Sequence, residues 1–161
     1  MLLMRRDLQN PEKVEKGNGT GAMKQITSFS IDWHHRGLCS SLDKVRERTT
    51  VYLRRNLIKS EKFNGSGELL GKEECFVCRE SISKFFDFIS KTDSNNEWKK
   101  DYTVAVCDGS RWEMRLRYSD RTVRLIVGTA KKPDKGIKIE EMIKDMLSDG
   151  TCIEMPVLFG C

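Results

Sequence analysis

The chain has 161 residues, 38% hydrophobic and 33% charged, with only three prolines. That suffices for one core of ordinary size and excludes disordered, collagen-like and fibrous classes. No apolar run reaches the roughly 18 residues of a membrane-spanning helix, and Met1-Leu2-Leu3-Met4 ahead of Arg5 and Arg6 is too short for a signal-peptide core, so a cytoplasmic protein is expected.

Residues 1–22 are polar, show no apolar period and end in Gly17-Asn18-Gly19-Thr20-Gly21. They read as a flexible tail, dispensable for folding, with Met23 as an alternative start. In 25–33, Phe29, Ile31 and Trp33 alternate with Ser28, Ser30 and Asp32, the period of a half-buried strand. The stretch 48–54 repeats the pattern, turning Thr49, Val51 and Leu53 inward and Arg48, Thr50, Tyr52 and Arg54 outward. Residues 56–74 mix Lys, Glu, Asn and Gly, with turn signals at Asn64-Gly65 and Ser66-Gly67, and read as loop with at most one short edge strand.

Ile82, Phe85, Phe86 and Ile89 stand at helical spacing in 79–91. A second helix is predicted over 138–147, with Ile139, Met142, Ile143, Met146 and Leu147 on one face and Gly150 as its stop. Between them lie three predicted strands, 102–107, 111–118 and 122–128. A three-residue loop at Asp108-Gly109-Ser110 would set Tyr102 opposite Leu116 and Val104 opposite Met114. A four-residue turn from Ser119 to Thr122 would set Tyr118 opposite Val123 and Leu116 opposite Leu125. The order ββαβββα predicts an α+β fold: an antiparallel sheet with both helices on one face, formed by residues 23–150 as a single domain. Residues 151–161 are expected as a tail or an added edge strand.

From Gln25 to Leu147 the chain resembles a family of small, functionally uncharacterised bacterial domains of the gut Firmicutes type. The residues that carry this are Ile26-Thr27-Ser28-Phe29-Ser30, Trp98, Asp108-Gly109 followed by Trp112-Glu113-Met114-Arg115-Leu116, Tyr118-Ser119-Asp120, Gly128 and Pro133. The chain departs from the pattern at Arg121, where a glycine usually follows the aspartate, and at Ala130, where asparagine is frequent. The resemblance implies a bacterial cytosolic source and the same element order, and brings no activity with it.

Cys75-Phe76-Val77-Cys78 has the spacing of half a zinc site, but no second pair exists, and all six cysteines are expected as metal-free thiols. Gly65-Ser66-Gly67 and Gly71-Lys72 lack the spacing of a phosphate-binding loop, and no nucleophile elbow is present, so neither cofactor nor catalysis is expected. The net charge of +5 is the sharper signal. Its whole excess falls between Arg111 and Lys135, where eight basic residues stand against three acidic ones.

With the registers above, Arg117 would oppose Arg124, with Arg115 beside them and Arg111 continuing the row. Like charges opposed across strands invite a compensating anion. Arg111, Arg115, Arg117, Arg124, Lys131, Lys132 and Tyr52 are the candidate binding residues. A protein partner held through the exposed sheet face or edge, in the manner of an inhibitor or immunity protein, is the first expectation. Nucleic acid is the alternative, with arginines on phosphates and Tyr52 stacked on a base.

Overall fold

The computed structural model describes residues 24–35, 37, 43–105, 109–149 and 154–160. The expected tail 1–22, Val106, Asp108, Gly150 and the cysteines Cys39, Cys107, Cys152 and Cys161 lie outside them. The elements run β1 (Ile26–His34), β2 (Lys44–Tyr52), β3 (Leu57–Asn64), β4 (Leu69–Phe76), α1 (Arg79–Ser94), β5 (Asp101–Tyr102), β6 (Arg111–Tyr118), β7 (Val123–Thr129) and α2 (Gly136–Asp149). The strands make one sheet in the order β4-β3-β2-β1-β6-β7-β5, antiparallel except for the short parallel pairing of β5 with β7. This is the α+β class expected, with β1 and β6 neighbours at its centre.

Alternation decides which face is covered. Phe29 and Ile31 of β1 lie in register with Val51 and Thr49 of β2 and with Leu116 and Met114 of β6. Together with Ile58, Cys75 and Ile126 these side chains form the floor on which both helices rest. From α1, Ile82, Phe85, Phe86 and Ile89 are buried, and Phe85 meets Phe29 edge to face at 5.3 Å. Helix α2 buries Ile139, Ile143, Met146 and Leu147. Trp98 and Trp112 are buried, their indole N–H groups donating to the carbonyls of Asp134 and Lys131. Cys75 is buried while Cys78 is exposed, immediately before α1.

Residues 56–74 are a strand pair rather than a loop. β3 and β4 form a hairpin around the predicted turn, where the Asn64 carboxamide oxygen accepts from the N–H groups of Ser66 and Glu68 and Gly67 takes a positive φ of 82°. Charge hid these strands. As an edge strand with little burial, β4 carries Lys72, Glu73 and Glu74, which pair with partners on β4 and β3.

The 102–107 strand also differs. Among the described residues only Asp101 and Tyr102 are extended, paired with β7, so Tyr102 does not oppose Leu116. Residues 154–160 add no strand; Leu158 and Phe159 are buried instead, and Phe159 meets Trp112 edge to face at 5.2 Å.

The β6–β7 register is one residue away from the expected one. Tyr118 N–H donates to Thr122, Arg121 N–H donates back to Tyr118, and Arg121 takes the left-handed conformation (φ 70°) that a three-residue hairpin loop requires. The slip turns Val123, Leu125 and Val127 outward and brings Arg124, Ile126 and Gly128 onto the helix face.

Arg124 therefore does not oppose Arg117. Its guanidinium pairs with Asp93 of α1 and donates to the Trp98 carbonyl at 2.9 Å, while the Tyr118 hydroxyl donates to the same Asp93 at 2.7 Å. Burial and that carboxylate push the Tyr118 phenol up to about 12. Replacing Arg124 with Thr is expected to cost about 1–2 kcal/mol, because a part-buried network loses its cation. Arg117→Thr should stay within about 0.5 kcal/mol of the parent. Urea denaturation of both variants checks the difference, and equal stabilities would contradict it.

Candidate functional site

The face opposite the helices carries no covering element among the described residues. Its centre is polar because the even positions of β1 point there. Ser28, Ser30 and Asp32 lie between Tyr52, Thr50 and Arg48 of β2 and Arg117, Arg115 and Glu113 of β6.

Asp32 anchors one half of this face. Its carboxylate is buried and receives two hydrogen bonds from Arg46 (2.7 and 2.6 Å) and two from Arg48 (2.9 and 2.8 Å). Arg115 approaches to 3.6 Å and His34 to 3.4 Å. Burial alone would raise the Asp32 pKa, but the hydrogen bonds and charge of Arg46 and Arg48 outweigh it and hold the carboxyl below its ordinary value. His34 is shifted down, by burial first and by Arg46 in addition, against the opposing pull of Asp32. Glu113 ties down Arg111 at 3.0 Å and also pairs with Arg115.

The other half opens into a concavity of about 700 Å³. Hydroxyl groups make its floor: the side-chain hydroxyls of Ser28, Ser30 and Thr50 form no hydrogen bond among the described residues. Arg48, Arg115 and Arg117 border it on the sheet, and Arg54, Arg55 and Lys59 border it from the β2–β3 hairpin. Glu61, paired with Lys59 at 3.1 Å, is the one carboxylate of the lining. Tyr52 stands at the hairpin end, with the Arg55 guanidinium 5.2 Å and the Lys59 ammonium 6.0 Å from its ring centre. Among the described residues, Arg54, Arg55 and Arg117 have no carboxylate within salt-bridge distance.

Of the sequence-derived candidates, Arg115, Arg117 and Tyr52 come together here. Arg111 sits beyond Asp32 at the far end of the same face, held by Glu113. Arg124 is on the helix face. Lys131 and Lys132 lie past β7, away from the concavity, and Lys132 pairs with Glu140 at 2.6 Å. Much of the charge counted between Arg111 and Lys135 is thus answered locally. Sequence reading did not include Arg48, Arg54, Arg55, Lys59 or the three hydroxyls in the site. The missing link was the pairing of β1 with β6, which brings residues roughly 90 apart in sequence into register. The outward alternation of Arg48, Thr50 and Tyr52 was the available signal.

Among the described residues no helix is long and apolar enough to cross a membrane, and no three His, Cys, Asp or Glu side chains gather as a metal site. No family model matches the chain, and no curated protein is detectably similar to it.

Proposed function

We propose that the chain is a non-enzymatic binding module that holds an anionic partner in the concavity of its open sheet face. One observation carries this reading: six cationic side chains and one carboxylate surround the space, and three of the six have no carboxylate partner among the described residues. Cations gathered around a concave surface raise the local concentration of an anion and speed its capture. Arginine suits the task because its fork binds carboxylate or phosphate oxygens two at a time.

Elution from immobilised heparin tests the reading. Arg117→Thr is expected to elute at clearly lower salt than the parent, while Lys131→Ser, which removes the same charge outside the concavity, stays close to it. Equal shifts for both variants would refute a localised site.

A protein partner held along the sheet edge is the second reading. It is favoured by the exposed side chains of Leu69, Leu70 and Phe76 on β4, where apolar groups stand beside an edge that is unpaired among the described residues.

A further inference from the structure

Building on that reading, we propose that the occupant of the concavity is a single strand of nucleic acid, its phosphates along β6 and its bases toward β2. The chemistry of the lining separates this from an acidic protein. Among the described residues no aliphatic side chain lines the space, only hydroxyls, cations, Glu61 and Tyr52. A protein interface needs an apolar centre to exclude water, whereas nucleic-acid interfaces are polar and strongly cationic. The exposed apolar side chains of this face stand outside the concavity, Val123 and Leu125 on β7 and Leu69 and Phe76 on β4.

The sheet supplies the geometry. Arg115 and Arg117 are alternate residues of one strand, about 7 Å apart along β6. That is the order of spacing at which an extended single strand presents successive phosphates. Across the sheet, β6 and β2 are two strand spacings apart, about 10 Å, with Ser28 and Ser30 of β1 between them. This trough accommodates a sugar between a phosphate on β6 and a base at β2. Its free hydroxyls both donate and accept, as sugar hydroxyls and base edges require.

At the β2 end, Tyr52 and Arg55 offer an aromatic face and a guanidinium plane, the two surfaces on which unpaired bases stack. A duplex keeps its bases stacked inside and gives such a surface nothing to hold. The single-stranded form is therefore the one that uses every part of the site.

The test is fluorescence anisotropy with a labelled oligouridylate of about 12 nucleotides, run beside its duplex with oligoadenylate and beside polyglutamate. The expected result is binding of the single strand in preference to both, with the magnitude of its log–log salt slope lowered by about 0.7 in Arg117→Thr. Tyr52→Leu should weaken binding about tenfold at an unchanged slope, while Tyr52→Phe binds as the parent does. Melting curves confirm that each variant is folded.

Arg117-dependent binding of polyglutamate without oligouridylate would overturn the nucleic-acid proposal and leave the anionic-partner reading standing. Duplex bound as tightly as single strand, or a Tyr52→Leu variant indistinguishable from the parent, would overturn the single-strand assignment. Absence of binding to all three probes at low salt would overturn the proposal together with the reading beneath it.

Discussion

Gly128→Ala is expected to lower the stability of this protein by about 3 kcal/mol, a fall in Tm on the order of 10 °C for a chain of this size. Gly128 on β7 lies directly across from Trp112 on β6, and the indole covers it. A Cβ at this position would stand 2.2 Å from Cζ2 and 2.6 Å from Cε2 of the ring. The ring has nowhere to retreat. Trp112 is fully buried, its N–H is bound to the Lys131 carbonyl at 2.9 Å, and Phe159 and Tyr102 pack against it at 5.2 and 5.9 Å. Core space is filled close to crystal density, so one added methyl must displace the ring or the strand. Gly71→Ala on β4 is the control, since a Cβ there meets nothing within 4 Å. Differential scanning calorimetry separates the two, and a Gly128→Ala variant melting with the parent would show that the strands are not in this register.

Asp32→Asn is the second large effect, expected to cost about 2–3 kcal/mol at neutral pH. The carboxylate is buried at the centre of Arg46, Arg48 and Arg115, and the amide replacing it turns two donor hydrogens toward guanidinium donors. The cost stays below that of a fully buried pair because these arginine side chains remain 30–37% exposed and can turn to water.

The pH dependence has a definite sign. A carboxyl whose folded pKa is depressed contributes stability that is present above its unfolded value, near 4, and is lost as pH falls through the lower folded value. The gap between parent and variant should therefore be full at pH 7 and shrink from about pH 4 downward. A gap equally wide at pH 7 and in strong acid would assign the loss to packing rather than to charge.

The helices and central strands were legible because their apolar residues repeat with a single period. Strand β6 begins and ends where the sequence places it, and the inward residues of α1 are those the spacing selects. Strands β3 and β4 were not legible: β4 is an edge strand that carries Lys and Glu on both faces, and β3 beside it buries Ser60 and Asn64 where an apolar alternation would continue.

The β6–β7 register failed for a subtler reason. Val123, Leu125 and Val127 look like the buried set by composition, and Arg124 looks like an outward residue. Two tertiary contacts reverse that preference: Trp112 needs a residue without a side chain opposite it, and Asp93 with the Trp98 carbonyl gives Arg124 partners at the rim of the core. Arg121 adopts the left-handed conformation of the turn although it is not a glycine. The candidate site was legible only in outline. Its arginines stood out by charge, but which of them are answered by a carboxylate depends on strand neighbours that no local pattern records.

Whether an anion settles in the open-face concavity is tested most directly by backbone amide chemical shifts followed during titration with a short heparin oligosaccharide at low salt. The predicted result is a set of shift changes concentrated at Ser28, Ser30, Thr50, Tyr52, Arg55 and Arg117, with Lys131, Lys132 and α2 unmoved and the changes reversed by added salt. Changes centred on Lys131 and Lys132, or none at the concavity when the anion is in excess, would contradict it.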